Sequence, residues 1–135
     1  MGYKIDEIEG IGPAFKEKLG SAGISSTDDL LEHCCTSQGR KAIAEKTGLN
    51  EKSLLGWTNM ADLMRVSGIG RQFAELLEAS GVDTIKELRN RNAENLASKM
   101  EEINATKKLA KSSPGVSTVE NWISQAKTTD PKISY

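Results

Sequence analysis

The sequence predicts an all-α fold built from two tandem repeats of about 58 residues, each with a pair of helical hairpins. Three observations lead to this prediction. Apolar residues recur at helical spacing, and strand-like alternation of apolar and polar residues is not sustained anywhere. A Gly-Ile-Gly pattern at residues 10–12 returns at residues 68–70 in similar surroundings. At 135 residues, the chain is long enough for two small units that share a core.

Each Gly-Ile-Gly pattern predicts a helix end, a tight turn and a new helix start. The first glycine can adopt the positive φ that ends a helix, and the isoleucine is expected to be buried in the turn. The second glycine leaves the first amides of the next helix uncovered. Because these N–H groups lie at the positive end of a helix dipole, they suit a phosphate oxygen. The patterns therefore predict helix-hairpin-helix motifs that offer anion contacts.

The first repeat is predicted to span residues 1–58. Pro13 suits the first turn of a helix, where an N–H would have no partner in any case, and the apolar face continues at Leu19. In the back half, Gly48 is expected to end a helix and Asn50 to cap the next one. These signals predict a second, degenerate hairpin that completes the first pair.

The second repeat is predicted to span residues 59–127 and to begin with a helix that joins the two halves rigidly. Residues 84–87 (Thr-Ile-Lys-Glu) form a capping box, which predicts a helix start. Asn92 is expected to begin a longer helix. The Pro-Gly pair at 114–115 is expected to form the break before the last helix. The last helix is expected to begin with another capping box at residues 117–120 (Ser-Thr-Val-Glu).

The few aromatic residues indicate the expected core. Trp57 and Trp122 occupy equivalent places in the two repeats, as do Phe15 and Phe73, and large rings at repeated positions are more often core than base-stacking surfaces. Only 4% of the chain is aromatic, so these residues are expected to dominate its burial. Residues 128–135 have little to bury, and they are predicted to form a flexible C-terminal tail.

Composition limits the functional classes. The chain has 18 Lys and Arg against 19 Asp and Glu, and its net charge of -1 argues against nucleic-acid binding by a uniformly positive surface. Cys34 and Cys35 are adjacent, and with His33 they are too few ligands for a tetrahedral zinc site. No metal and no cofactor are therefore expected. No apolar run approaches the length of a bilayer span, so we expect a soluble, cytoplasmic protein with no membrane partner.

These motifs carry two resemblances to known groups. The hairpins resemble the helix-hairpin-helix modules of DNA repair, recombination and replication proteins, which implies contact with a DNA backbone through hairpin amides and nearby Lys or Arg. Residues 5–127 also resemble a bacterial family known as domain of unknown function 4332. Segments 9–13, 47–63 and 81–92 carry this second resemblance. It implies a compact tandem of paired hairpins, and it brings no settled activity with it.

The second hairpin pair is expected to carry most of a nucleic-acid contact. Arg65 and Arg71 flank its glycine turn, and further cations follow within the same pair. The predicted contact residues are Gly68, Ile69, Gly70, Arg71, Arg65, Lys86, Arg89 and Arg91. A later lysine run either extends this contact or is a solvated helix face, which is the usual role of such a run. The run comprises Lys107, Lys108 and Lys111.

The first hairpin is the weaker candidate for such a contact. Its contact residues are expected to be Gly10, Ile11, Gly12 and Lys16. Three acidic residues, Asp6, Glu7 and Glu9, surround the turn and are expected to repel phosphate. In the DNA-binding pattern that the hairpins resemble, a small residue usually stands four positions after the second glycine. Ala74 follows this pattern, and Lys16 does not.

The sequence leaves two functions open. The first is a non-enzymatic module that contacts nucleic acid, DNA more than RNA, without sequence preference. The second is a protein-interaction or scaffold domain in which the hairpins are architecture only, and the near-neutral charge favours it. Catalysis is not expected, because the chain has one histidine, no metal-ligand cluster and no nucleophile beside a base. No small-molecule substrate is expected either.

Overall fold

The structure, a computed structural model, describes residues 2–135; Met1, the first residue of the predicted first repeat, lies outside this range. The described residues form eight α-helices and no β-sheet, which confirms the predicted all-α class. A short 3₁₀ turn at Ile5–Glu7 precedes them. The helices are α1 (Pro13–Ser21), α2 (Thr27–Cys34), α3 (Ser37–Thr47), α4 (Glu51–Leu63), α5 (Arg71–Ala79), α6 (Ile85–Leu88), α7 (Ala93–Lys107) and α8 (Val116–Lys127).

Helix α4 is the centre of the core. Every residue from Trp57 to Leu63 is buried, so this part of the helix is covered on all sides. Helices α2, α3 and α5 pack against α4, while α7 packs against α5 and α8, and α6 packs against α8. Helix α4 begins in the first predicted repeat and ends in the second. The two halves of the chain therefore share one hydrophobic core.

Each tryptophan packs against the phenylalanine of its own half. The ring centroids of Phe15 and Trp57 are 5.1 Å apart, and those of Phe73 and Trp122 are 5.2 Å apart. The two tryptophans are buried, as predicted, and Phe73 is half-buried. The prediction that Phe15 is a core residue is wrong in part, because 38% of the residue is exposed. It lies in the first turn of α1, a helix that buries only Leu19.

The two glycine turns have the same geometry. Gly10 and Gly68 adopt φ values of 96° and 97°, in the left-handed region that favours glycine. A β-carbon at Gly10 would lie 3.3 Å from Nε1 of Trp57, and one at Gly68 would lie 3.2 Å from Nε1 of Trp122. The isoleucines between the glycines are buried, as predicted. The backbone of each turn thus lies directly against the edge of a tryptophan, where a side chain would be crowded.

We predict that Gly68→Ala destabilises the protein and that Gly70→Ala does not. Alanine at position 68 is strained by the positive φ and crowded by Trp122, whereas Gly70 has an extended φ of -99° and open space around its Cβ position. Urea unfolding is expected to show a loss of about 1–3 kcal/mol for Gly68→Ala and less than about 0.5 kcal/mol for Gly70→Ala. Equal losses at the two positions would contradict the role of the turn.

Side-chain caps begin most of the helices. The predicted caps at Asn50 and Thr84 are confirmed, and Asn92 begins α7 as predicted. Each of the three side chains accepts a hydrogen bond from a backbone amide two or three residues later. The predicted capping box at residues 117–120 is wrong, since α8 already begins before it. Gly115 takes the extended N-cap conformation, and its carbonyl accepts the first helical hydrogen bond of α8 at 3.1 Å.

The C-terminal segment is held against the body of the protein, unlike the loose tail predicted for residues 128–135. The amide of Ser134 donates to the carbonyl of Cys35 at 2.8 Å. Arg40 donates through Nη2 to the carbonyl of Ser134, also at 2.8 Å, and Ile133 packs against the core. These contacts use backbone atoms and an arginine that is distant in the chain, so the low hydrophobicity of the segment did not reveal them.

We predict that Arg40→Gln releases this C-terminal segment. Arg40 is buried, and its guanidinium donates to the Ser134 carbonyl, so the variant loses a hydrogen bond from a charged group. Exchange of the Ser134 amide with deuterium is expected to become about tenfold faster. Lys41→Gln, at the next and exposed position of α3, is the matched control and is expected to leave this exchange unchanged. An unchanged rate in Arg40→Gln would refute the prediction.

Candidate nucleic-acid interface

A surface ion pair links the two hairpins. Arg71, the first residue of α5, donates from Nε to Oε2 of Glu9 at 2.7 Å. Glu9 directly precedes the first turn and Arg71 directly follows the second, so this ion pair connects the two hairpins. The side chains of Arg71 and Glu9 are 50% and 46% exposed. The segment before α1 is therefore tied to the start of α5.

The start of α5 has no side-chain cap. Within residues 2–135, no acceptor lies within hydrogen-bond distance of the amides of residues 70–73, and the first helical bond runs from Ala74 to the carbonyl of Gly70 at 2.9 Å. Arg71 and Gln72 are exposed, so the helix end faces solvent. Side chains cap α2, α3, α4, α6 and α7, whereas α1, α5 and α8 each begin after a glycine. An uncapped helix start attracts anions.

A groove of about 360 Å³ opens beside the start of α5. Helix α7 packs against α5, which brings the residues that follow α7 to this groove. Lys108 adopts a left-handed conformation with φ 52°, and its amide donates to the carbonyl of Asn104 at 2.9 Å. The sequence alone left Lys108 open between a contact residue and a solvated one. The groove is lined by Glu9, Arg71, Gln72, Glu75, Lys108 and Leu109.

The groove holds as many carboxylates as cations. Glu9 and Glu75 line it together with Arg71 and Lys108. Burial raises the pKa of Glu75 above its ordinary value of 4.5, the negative charge of Glu9 raises it further, and Arg71 lowers it. The charges beside the start of α5 are therefore close to balance, and this surface is not strongly positive.

We predict that Glu75→Gln stabilises the protein at neutral pH and not in acid. A carboxyl whose pKa is raised by folding favours the folded state below its unfolded pKa, and this contribution is lost as the pH rises through the folded-state value. Ionised Glu75 therefore costs stability at neutral pH, where the variant is expected to melt about 1–2 °C higher. The gain is expected to shrink as the pH falls through the folded-state pKa and to vanish well below the ordinary glutamate pKa of 4.5, where the carboxyl is protonated in both states.

The matched control for this change is Glu17→Gln, at the equivalent and exposed position of α1. It is expected to leave the melting temperature unchanged at both pH values. A gain for Glu75→Gln that persists in acid would show that the side-chain charge is not its cause. Scanning calorimetry of both variants and the wild-type protein across this pH range makes the comparison.

Besides Arg71, two of the predicted contact arginines form ion pairs within the protein. Arg65 pairs with Asp62, a buried residue whose other oxygen accepts from the amide of Ile85 at 2.8 Å. Arg91 pairs with Glu87 at 2.8 Å, one helical turn earlier in the chain. A phosphate would have to compete with these carboxylates. The sequence placed both arginines near the second turn, but it did not reveal the partners that hold them.

A third predicted contact residue, Arg89, caps the end of α8. Its Nη2 donates to the carbonyl oxygens of Ala126 at 2.9 Å, Lys127 at 3.3 Å and Thr129 at 3.0 Å. Cations at the C-terminus of a helix stabilise carbonyls that lack intrahelical partners. The side chain of Arg89 is therefore directed at the protein. The sequence did not reveal this contact, because the nearest of these carbonyls is 37 positions away.

The remaining predicted cations are exposed lysines. Nζ of Lys16 lies 3.4 Å from Oδ2 of Asp6 in an exposed ion pair. Lys86 is exposed and has no ion pair among the described residues. Among the cations of the predicted contact residues, only Arg71 lines the groove at the start of α5. Lys108, from the lysine run that the sequence left open, lines the same groove. The positive charge of this groove therefore comes from two residues, Arg71 at the start of α5 and Lys108 after the end of α7.

The described residues were also compared with the requirements of a reactive thiol, a metal site and a membrane span. Cys34 is buried, and desolvation raises the pKa of its thiol to about 11, so the thiol is protonated at neutral pH. In residues 2–135, no three His, Cys, Asp or Glu side chains lie close enough together to hold a metal ion. None of the helices in this part of the chain has both the length and the apolar character that crossing a bilayer requires.

Comparison with known proteins connects the chain to one family. The family model described as Domain of unknown function (DUF4332) matches residues 9–129. The matched region includes both glycine turns and all eight helices. Searches of the curated proteins and of the solved structures found no match to the chain.

Proposed function

We propose that this chain, which belongs to the DUF4332 family, is a non-enzymatic module that binds the sugar-phosphate backbone of nucleic acid, DNA more than RNA, without sequence preference. One observation carries the proposal. The start of α5 has no side-chain cap, and Arg71 and Lys108 line the groove beside it. Backbone donors, a helix dipole and two cations are together the chemistry that holds a phosphate group.

The first hairpin supports the proposal through its position. The amides of residues 14 and 15 also lack acceptors within residues 2–135, and the Glu9–Arg71 pair ties the segment before α1 to the start of α5. A nucleic-acid strand carries phosphates at regular intervals, so two hairpins tied in this way suit a single backbone. Gly10, Ile11 and Gly12 then act as a weaker second contact in this proposal, beside the main contact at Gly68, Ile69 and Gly70.

The proposed contact is small and weak. Two or three phosphates meet two hairpins, and the net charge of -1 adds no general attraction. We therefore expect dissociation constants of about 10⁻⁴ to 10⁻⁶ M, with a salt slope of about -2 to -3 for that number of phosphates. Lys86 adds long-range attraction only. Arg65, Arg89 and Arg91 support the fold around the site through their own partners.

We predict that Lys108→Glu weakens binding to a fluorescently labelled DNA duplex at low salt. The variant reverses a charge in the groove beside α5, and anisotropy titrations are expected to show a loss of about five- to tenfold. Lys46→Glu, on the exposed side of α3, changes the net charge equally and is expected to lose less than about twofold. The same duplex with a different base sequence is expected to bind equally well.

Two results would end this proposal. The first is an absence of binding at low salt with protein at several times the weak limit of about 10⁻⁴ M. The second is an equal loss in Lys108→Glu and Lys46→Glu, which would mean that only net charge matters and that the start of α5 is not the contact.

A second candidate function is a protein-interaction or scaffold domain. One observation favours it: Arg65, Arg71 and Arg91 each pair with a carboxylate, so the hairpin surfaces are close to electrical balance. A partner surface with both charges and apolar groups suits a groove of this composition. The test is capture of one partner protein by this chain. If the capture persists after nuclease treatment and is unaffected by Lys108→Glu, this function is favoured over nucleic-acid binding.

A further inference from the structure

Two arginines bind the C-terminal segment by its backbone carbonyls. Arg65 donates from Nη2 to the carbonyl of Asp130 at 2.9 Å. Arg40 donates from Nη2 to the carbonyl of Ser134 at 2.8 Å, and the Ser134 amide donates to the carbonyl of Cys35. Because every residue has a backbone carbonyl, these arginines hold a peptide chain without requiring particular side chains.

Two side chains of the segment add a sequence preference. Ile133 is half-buried and packs against the hydrophobic core. Lys132 lines a groove of about 420 Å³ together with two carboxylates, Asp28 and Glu32. Arg65 also lines this groove, but an ion pair already balances its charge. The surface under the segment therefore suits a basic residue followed by a β-branched apolar one.

The attachment of the segment is light enough for it to leave. Within residues 131–135, only Ile133 is not exposed. One packed side chain and the two hydrogen bonds of the Ser134 backbone hold this stretch. Segments with so few contacts open at a small part of the global free energy of unfolding. Arg89 still binds the carbonyl of Thr129, so the opening begins after that residue.

We propose that the surface under residues 130–134 is a peptide-docking site, and that the chain's own C-terminal segment is its resident ligand. The partner that fits is a non-helical peptide of another protein, with a basic residue directly before a β-branched apolar one. The docking site comprises Asp28, Glu32, Cys35, Arg40 and Arg65. It shares no residue with the groove at the start of α5, so peptide docking does not depend on nucleic-acid binding.

The internal segment sets a threshold for the partner. Because it belongs to the same chain, it faces the docking site at an effective concentration on the order of 1 mM. A separate peptide binds only to the fraction of molecules from which the segment has left, and its apparent affinity is reduced by that fraction. Changes that release the segment are therefore expected to strengthen binding of a separate peptide.

The probe is a fluorescently labelled peptide with the sequence of residues 128–135, added to full-length chains. Ile133→Asp removes the apolar contact of the internal segment, and Ser134→Pro removes the amide that donates to Cys35. Anisotropy titrations are expected to show that each variant binds the peptide at least about tenfold more tightly than the wild-type chain. Circular dichroism verifies that both variants keep their helices.

Lys41→Gln is the matched control, because it changes the net charge as Ile133→Asp does and lies at an exposed position of α3. It is expected to bind the peptide within about twofold of the wild-type chain. Adding Arg40→Gln to Ile133→Asp is expected to weaken binding about tenfold, since a charged donor to the peptide is lost. Peptides that carry Ile133→Asp or Lys132→Glu are expected to bind about five- to tenfold more weakly.

Four results would overturn the proposal. The first is an absence of binding to both released variants at about 1 mM protein. The second is equal binding by released and wild-type chains, and the third is equal binding of the original peptide and the peptide with Ile133→Asp. The fourth is a wild-type dimer in sedimentation velocity that Ile133→Asp abolishes, because the natural occupant would then be the segment of a second copy.

Discussion

The structure depends on the packing of a glycine turn against the edge of a buried tryptophan, a contact that occurs twice. Gly10 meets Trp57 and Gly68 meets Trp122, with Cβ-to-nitrogen separations that leave little room for a side chain. The positive φ at each glycine ends one segment and directs the next helix away. Because the tryptophans are fixed in the core, the helix starts that follow the turns are fixed as well. The uncapped start of α5 is a consequence of this packing.

Most of the arginines near the second turn serve tertiary structure. Arg89 joins the region after α6 to the end of α8, and Arg65 holds the buried carboxylate of Asp62, which in turn accepts from the first amide of α6. These contacts connect segments that are distant in the chain, and they use the hydrogen-bond donors that a phosphate would need. Any anion contact therefore relies on backbone N–H groups, with Arg71 and Lys108 as the local cations.

Local signals in the sequence were sufficient for the helices and turns. The positive φ of Gly10 and Gly68 and the caps at Asn50 and Thr84 depend on neighbours within a few residues. The groove at α5 was only partly predictable, because it needs the packing of α7 against α5 to bring Lys108 to Arg71. A sequence pattern does not indicate which distant side chains will meet in the folded protein.

The contacts that the sequence did not reveal are long-range. Arg40 binds a carbonyl 94 positions away and Arg89 one 37 positions away, and neither partner is marked by a residue type. The backbone carbonyl is present at every position, so composition carries no information about which one is used. The early start of α8 is a different case, because a glycine without a capping side chain took the N-cap position ahead of the Ser-Thr-Val-Glu pattern.

The course of α4 has a consequence for how the molecule can be divided. Because this helix is buried on every side where the two predicted repeats meet, neither half retains a cover for its apolar surface when the chain is cut there. The protein is therefore expected to melt in one cooperative transition and not in two, despite the similarity of its halves. Shortened forms for expression, or permuted forms with new termini, have to leave this helix whole.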